Sequence, residues 1–255
     1  MTQRSLHPFL DHPRPTAFAH RGGSLEAEEN TMPAFDHAVR LGYTHVELDV
    51  HLTKDGAVVI HHDPTLQRMF GVDRAVADLT LADLAGIRTP GGATVPLLAD
   101  LLHAWPGLHV NIETKSDAVV PALAEVIRRA DALDRICVGS FAPARTAAAR
   151  AAMGPGLCWS PAHAGVARLW ASGWGLPVPF RFPVVQVPVA WRGIPVVTQR
   201  VIRAAHARGI QVQVWTVDDE AEMGRLLDLG VDAIMTDRPT VLKAVLQARG
   251  QWASG

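Results

Sequence analysis

The sequence predicts a closed (β/α)₈ TIM barrel, an α/β fold of eight parallel strands covered by helices, with a β-hairpin excursion after strand 2. Short runs rich in β-branched residues alternate with longer stretches of helical period, as in a parallel sheet between helices. Eight such runs match the strand count of the barrel, and 255 residues suit one barrel. We therefore expect a single domain over residues 1–255, with its core at about 14–249.

The predicted strands are short, apolar and followed by turn residues or a helical pattern. In chain order they are 16–20, 44–50, 109–113, 136–140, 157–160, 184–187, 211–216 and 233–236. One additional run, 58–61, breaks the alternation of strands and helices. It follows Asp55-Gly56, a strong signal for a two-residue hairpin, so we interpret it as the return arm of a hairpin.

Helix boundaries between these strands are marked by capping residues. Thr31 is a predicted N-cap, Pro33 falls in the first turn, and Gly42 stands just past the end of the same helix. Pro106-Gly107 ends a later helix in the same way. The helices are thus delimited between successive strands, as the barrel requires.

Composition excludes several functional classes. With 48% hydrophobic residues the chain is not predicted to be disordered. Its 24 basic and 25 acidic residues give no excess of positive charge that would favour nucleic-acid binding. Only Cys137 and Cys158 occur, outside any C-x-x-C spacing, and charges and prolines interrupt every apolar stretch near the N-terminus. No apolar run approaches the roughly 20 residues of a membrane span. We expect a soluble cytoplasmic protein.

Three carboxylates fall where strands 2 and 3 of the barrel place their functional residues. Alternation puts Glu47 and Asp49 on the same face of strand 2, and Glu113 ends the next barrel strand. Inward carboxylates without cysteine favour a hard divalent ion, Mg²⁺ or Ca²⁺. The alternative is that these acids only form ion pairs with Arg21 and Lys115.

Two histidines are placed to move protons beside that ion. His20 ends strand 1, and a two-residue hairpin loop would pair His62 with Asp49; a G1 bulge would shift this pairing by one residue. Arg21 and Lys115 suit a phosphate oxyanion. Together these residues indicate phosphoester hydrolysis. His12 and four other histidines have helical or loop settings that predict ordinary surface or capping roles.

At these residues the sequence resembles the glycerophosphodiester phosphodiesterases. The motifs that carry the resemblance are ordered along residues 17–240, which makes the set specific. They are His20-Arg21-Gly22, Glu29-Asn30-Thr31, Glu47-Leu48-Asp49, Asp55-Gly56, His62-Asp63, Glu113-Thr114-Lys115, Trp215-Thr216-Val217 and Thr236-Asp237-Arg238-Pro239.

The resemblance implies a metal-dependent barrel that hydrolyses glycerophosphodiesters to glycerol 3-phosphate and an alcohol. It assigns acid–base catalysis to His20 and His62, the metal to Glu47, Asp49 and Glu113, and the phosphate to Arg21 and Lys115; Trp215 becomes an apolar wall beside the glycerol, and Glu29 and Asn30 supporting residues. For Asn30, local capping of the following helix is an equal alternative.

Two features depart from the family pattern. Residues 67–74 replace a Thr- and Gly-rich stretch, which leaves the rim of the site undefined. The aromatic segment 170–182, which contains Trp170, Trp174, Phe180 and Phe182, is either a self-packed loop or a cover that contacts an acyl chain, a membrane surface or a second subunit.

Alternative functions remain open at this stage. A phospholipase D of the same barrel would act on lysophospholipids, and the aromatic segment is its only support. A catalytically silent ligand-binding barrel is the alternative from another functional class. The expected partner is a small-molecule substrate, without nucleic acid or a transmembrane segment.

Overall fold

The computed structural model describes residues 7–253, and within them eleven strands are formed. They are β1 (Thr16–His20), β2 (His45–Leu52), β3 (Val58–Ile60), β4 (His109–Thr114), β5 (Ile136–Gly139), β6 (Cys158–Trp159), β7 (Val184–Pro188), β8 (Ala190–Trp191), β9 (Ile194–Pro195), β10 (Gln211–Trp215) and β11 (Ala233–Thr236). The eight predicted barrel strands are all among them.

These eight strands form a parallel sheet in the order β6-β5-β4-β2-β1-β11-β10-β7. The first strand pairs with the last, as in a closed barrel, and β6 and β7 end the hydrogen-bonded path. Across that gap the backbone N–H of Gln186 donates to Ser160 Oγ at 3.0 Å. The prediction of a nearly closed (β/α)₈ barrel is confirmed.

Helices cover the outside of the sheet. They are α1 (Met32–Arg40), α2 (Gln67–Phe70), α3 (Leu81–Leu84), α4 (Leu98–Ala104), α5 (Val119–Arg129), α6 (Pro143–Met153), α7 (His163–Gly173), α8 (Gln199–His206), α9 (Glu220–Leu229) and α10 (Pro239–Ala248). Thr31 caps α1 by accepting from the N–H of Ala34, as predicted. Of the described residues, no helix has the length and apolarity required to cross a bilayer.

The predicted excursion is present, but the predicted hairpin register is wrong by one residue. β2 pairs with β3 so that Val50 faces Ile60, which extends to a backbone bond between His61 and Asp49. The loop is a three-residue one that ends at Gly56, whose φ of 86° supplies the bulge. His61 therefore stands opposite Asp49, and His62 begins the following loop.

Alternation along the strands separates two cores. Leu48 packs in the core between sheet and helices, whereas Phe18, Cys137, Cys158 and Met235 belong to the smaller cluster inside the barrel. Phe9, on the turn Pro8–Leu10 that precedes β1, packs into the same cluster. The polar residues at the carboxyl ends of the strands therefore lie above an apolar cluster inside the barrel.

Histidine side chains pack at the floor of the barrel, which is formed by the amino ends of the strands. His45 and His109 begin β2 and β4 and stack at 4.7 Å between ring centroids. Burial and the neighbouring His12 lower the pKa of His109 to about 4. His12, expected to have an ordinary surface role, instead packs on both rings.

The aromatic segment 170–182 begins on the last turn of α7 and continues from Trp174 without regular secondary structure. Trp170 lies on α7, Phe182 is buried, and Trp174 at the end of α7 is 57% exposed. Strands β8 and β9 form a hairpin that was not predicted from the sequence, and its turn, Arg192-Gly193, has positive φ at both residues. α7 and this hairpin stand together on one side of the barrel mouth.

Candidate active site

A cleft of about 570 Å³ opens at the carboxyl ends of the barrel strands. Its polar lining includes six residues that were predicted from the sequence, namely His20, Arg21, Glu47, His62, Glu113 and Lys115. Asp49 lies beneath them and is 1% exposed. The structure thus brings the predicted polar residues together at one end of the barrel.

The three carboxylates converge because of the strand register. His20 is aligned with Glu47 between β1 and β2, and Asp49 is aligned with Glu113 between β2 and β4. One oxygen from each of Glu47, Asp49 and Glu113 lies within 4.8 Å of the others. This spacing makes the group a possible metal site built of oxygen ligands.

Glu47 is the carboxylate whose surroundings most favour binding of a cation. Within the described part of the chain, its buried Oε2 has no hydrogen-bond partner, and its ion-pair contact is His20 Nε2 at 3.5 Å. Burial and the neighbouring Asp49 raise the pKa of Glu47 to about 8. A divalent ion would satisfy this oxygen and offset the repulsion between the carboxylates, so the donor set fits a hard cation.

Asp49 also forms the ion pairs that were considered as the alternative to metal binding. Lys115 Nζ lies 2.9 Å from its Oδ1, and Arg21 Nε lies 3.2 Å from its Oδ2. Burial opposes ionisation, but Lys115 and Arg21 outweigh it and lower the pKa of Asp49. With all three carboxylates ionised, they and these two cations have a net charge of −1, which a divalent ion would turn into +1.

His20 is held by two carboxylates. Its Nδ1 lies 2.6 Å from Asp237 Oδ1, which leaves Nε2 toward Glu47. Burial disfavours the imidazolium, but Glu47 and Asp237 outweigh burial and raise the pKa of His20. The ring is therefore fixed in orientation, and its imidazolium form is favoured relative to that of a free imidazole.

His62 has a corresponding partner in its neighbour along the chain. Its Nδ1 lies 2.6 Å from Asp63 Oδ1. The second oxygen of Asp63 accepts from Arg68 at 2.7 Å, and Arg68 also binds Glu29 at 2.7 Å. Against the effect of burial, hydrogen bonds from Arg68 and His62 lower the pKa of Asp63 to about 2.

Arg21 and Asn30 reach the site from the loop after β1. Arg21 Nη1 donates to Glu29 at 3.1 Å, and Asn30 Nδ2 donates to Asp49 at 2.9 Å. Thr31, not Asn30, caps α1. Both Arg21 and Asn30 have positive φ, so the loop is strained in order to turn these side chains inward.

One side of the cleft is apolar. Its wall combines the ends of β5 and β10 with α7 and the β8–β9 hairpin, and includes Phe141, Val166, Trp170, Trp191, Ile194 and Trp215. The rings of Phe141 and Trp215 meet edge to face at 5.6 Å. This apolar side continues outward from the polar residues to the rim.

Three residues at the site were not selected from the sequence, namely Asp237, Asp63 and Arg68. Asp237 and Asp63 each stood in a motif that was noted, and each follows a residue at a strand end or hairpin end. Arg68 lies in the segment 67–74 that departs from the family pattern. Its ion pairs with Glu29 and Asp63 show how this part of the rim, which the sequence did not define, is built.

The described fold is shared by solved phosphodiesterases. A glycerophosphodiester phosphodiesterase of Agrobacterium tumefaciens superposes with a TM-score of 0.77 at 23% identity, over 91% of this chain and 99% of that one. A phosphodiesterase of Oleispira antarctica, solved with the product sn-glycerol 3-phosphate, also gives 0.77, at 24% identity over 92% and 97%. These likenesses establish the barrel fold.

Sequence relatives extend along nearly the whole chain. The "probable glycerophosphodiester phosphodiesterase 2" of Mycobacterium tuberculosis is 38% identical over 96% of this chain and 95% of its own length. Lysophospholipase D GDPD1 of Rattus norvegicus is 29% identical over 96% and 88%. Residues 20–241 match the model of one protein family. On this match and on the relative from M. tuberculosis, the chain belongs to the glycerophosphoryl diester phosphodiesterase family.

Proposed function

We propose that the chain hydrolyses glycerophosphodiesters to glycerol 3-phosphate and an alcohol, with His20 and His62 as the acid–base pair beside a divalent ion. The observation that carries the proposal is one cleft in which three carboxylates within 4.8 Å stand beside two oriented imidazoles and two cationic side chains. Family membership makes the chain a phosphoric diester hydrolase.

Glu47, Asp49 and Glu113 would hold the ion. Their carboxylate oxygens suit Mg²⁺ or Ca²⁺, and the buried Oε2 of Glu47 is without another partner. When bound, the ion would supply Lewis-acid polarisation of a phosphoryl oxygen. Asn30 would orient Asp49 through its hydrogen bond of 2.9 Å, and Glu29 would orient Arg21.

The two histidines would handle the protons of the reaction. Water adds to phosphorus while the bond from phosphorus to the alcohol oxygen breaks. One imidazole accepts a proton from the attacking oxygen, and the other donates a proton to the departing alcohol. Asp237 and Asp63, each 2.6 Å from a ring nitrogen, would hold the rings so that the other nitrogen faces the cleft.

Arg21 and Lys115 would bind the phosphate. Both line the cleft, and their side chains are 18% and 13% exposed. Each already touches Asp49, so the phosphate would meet cations that are held in place before it arrives. Trp215 would contact the glycerol carbons at the apolar side.

A substrate panel tests this proposal. Glycerophosphocholine is offered to the chelated protein with Mg²⁺, with Ca²⁺ or with neither, and glycerol 3-phosphate is measured. We expect turnover only with a divalent ion, and its loss in His20→Ala and His62→Ala with the fold intact. His103→Ala, an exposed histidine, is the matched control. Turnover in chelator, or near-wild-type rates in either histidine variant, would contradict the proposal.

The apolar side of the cleft favours lysophospholipids as a second candidate substrate. Phe141, Trp191 and Ile194 are about half exposed beside the polar residues, where an acyl chain could lie. A relative from rat carries the name lysophospholipase D. Comparing lysophosphatidylcholine with glycerophosphocholine separates the two, since a strong preference for the acylated substrate would overturn the first choice.

Further proposals concern the cellular location of the protein and its contact with a membrane or a second subunit. Cys137 and Cys158 are buried free thiols, which supports a reducing, cytoplasmic location. Exposed Trp174 and Leu176 support a weak membrane or dimer contact through residues 170–182. A silent ligand-binding barrel is not favoured, because the side chains that hydrolysis requires all meet at the cleft.

A further inference from the structure

A second group of potential metal-binding side chains lies at the opposite end of the barrel from the cleft. His12, from the segment before β1, meets His45 and His109, the first residues of β2 and β4. One ring nitrogen from each lies within 4.8 Å of the others. The cluster contains no residue proposed for catalysis.

The strand register explains why two of these imidazoles share a position. His45 and His109 are direct partners in the parallel pair β2–β4, so both side chains point to the same face of the sheet. His12 closes the group from the preceding segment, with its Nε2 3.0 Å from His109 Nε2. Three imidazoles from three segments thus converge on one point.

One nitrogen of the cluster is buried without a partner. His45 is 1% exposed, and its Nδ1 is hydrogen-bonded to Thr44 Oγ1 at 2.9 Å. Its Nε2 has no hydrogen-bond partner among residues 7–253. Aromatic contacts with Phe9 and Phe18 account for the position of the ring but leave this buried nitrogen unsatisfied, which is unfavourable. A bound cation would satisfy this nitrogen.

The chemistry of the donors selects a class of ion. Imidazole nitrogens without a carboxylate suit Zn²⁺ and similar transition metals, not Mg²⁺ or Ca²⁺. Three histidines and one water form a familiar four-coordinate set. Ligands at about 2.0–2.1 Å from Zn²⁺ lie about 3.3 Å apart in a tetrahedral site. Nε2 of His12 and Nε2 of His109 are already 3.0 Å apart. His12 and His109 are only partly buried and leave room for entry.

We propose that His12, His45 and His109 form a zinc-class site that ties the segment before β1 to the floor of the barrel. The site is distinct from the carboxylates at the cleft, since Glu47 and Glu113 follow His45 and His109 by two and four residues along the same strands. Its effect is on stability, because the ion would join a chain segment to two neighbouring barrel strands.

The test uses the full chain in which Glu47→Gln and Glu113→Gln remove the carboxylate site. This protein is stripped with chelator and titrated with Zn²⁺, followed by metal content after dialysis and by the melting temperature. Co²⁺ replaces Zn²⁺ in a parallel sample, since a tetrahedral imidazole site absorbs visible light strongly. We expect one ion per chain, a higher melting temperature and the Co²⁺ absorption.

His12→Ala in the same background is the decisive variant, because His12 is partly exposed and its loss leaves β2 and β4 unchanged. The apparent Zn²⁺ dissociation constant should rise by at least about tenfold, and the thermal shift should disappear. His109→Gln should behave alike, whereas the exposed His103→Ala should bind as its parent does. Absence of Zn²⁺ binding in the parent, or equal binding in His12→Ala, would overturn the proposal. A failure of phosphodiesterase activity would leave these readouts unaffected.

Discussion

His20 Nδ1 lies 2.6 Å from Asp237 Oδ1, which connects the end of β1 to the residue that follows β11. The two residues are separated by 217 positions in sequence, yet β1 and β11 are adjacent strands of the barrel. The contact leaves His20 Nε2 facing Glu47 and the cleft. Barrel closure therefore determines the orientation of a proposed catalytic ring.

Asp237→Asn tests that orientation. The amide keeps the size of the side chain but removes the charge that favours the imidazolium and a single tautomer. We expect kcat to fall about 10²- to 10⁴-fold with little change in KM, and the pH–rate profile to shift. Asp228→Asn, an exposed residue, should leave kcat unchanged. An unchanged pH profile and rate in Asp237→Asn would remove Asp237 from the mechanism.

The barrel could be predicted from the sequence because the signals for its strands are local. Apolar runs followed by helices identify β1, β2 and β4 whatever they pair with. The partner of His20 could not be predicted in the same way, since it depends on the closure of β1 against β11. Arg68 was not predicted for a related reason, because α2 has only four residues and is too short for a sequence period to indicate the direction of its side chains.

The length of the hairpin loop determines which histidine lies opposite Asp49. Asp55-Gly56 signals a turn, but the dipeptide alone does not separate a two-residue loop from a three-residue loop with a bulge. The backbone bond of Gly56 to Thr53 and the positive φ of Gly56 belong to the longer loop. That single residue moves His61, instead of His62, opposite Asp49.

Glu47→Gln should stabilise the metal-free protein at alkaline pH. Since the pKa of Glu47 is raised from 4.5 to about 8 in the fold, folded protein keeps a proton that unfolded protein loses between these values. The contribution of Glu47 to stability is therefore full below pH 4.5 and is lost as pH rises through about 8.

Chemical denaturation in chelator at pH 5 and pH 8 measures this effect. The free energy of unfolding should fall more between these pH values in the wild type than in Glu47→Gln, by about 1–4 kcal/mol. Mg²⁺ at pH 8 should stabilise the wild type and not the variant. Parallel pH dependences of the two proteins would mean that Glu47 does not hold the proton.

Arg68→Ala tests the rim network. Arg68 joins Glu29 and Asp63, and Asp63 in turn holds His62. We expect about a tenfold loss of kcat, because an exposed ion pair acts on the reaction only through the position of His62. Arg68→Lys should recover part of the rate. The exposed Arg74→Ala is the matched control; a loss of rate as large in Arg74→Ala would point to a general charge effect.

Gly22→Ala should distort the loop that presents Arg21. Gly22 has a φ of 83°, and a Cβ there would lie 2.7 Å from Ala34 Cβ and 2.8 Å from the Ala34 backbone. Because both close atoms belong to α1, the loop must move instead. We expect a loss of about 1–3 kcal/mol in stability and a higher KM. Gly56→Ala, strained by its φ but without a steric clash, separates backbone strain from displacement of Arg21.

The double variant Trp191→Ser, Ile194→Ser tests the apolar side of the cleft. Both side chains stand on the β8–β9 hairpin and are about half exposed, so their removal should leave the barrel core intact. If an acyl chain lies there, kcat/KM for lysophosphatidylcholine should fall about tenfold or more, while that for glycerophosphocholine should stay within about twofold. Leu176→Ser, an exposed residue outside the lining of the cleft, is the control. Equal losses for both substrates would assign the hairpin to the shape of the shared site, and no loss would remove it from substrate binding.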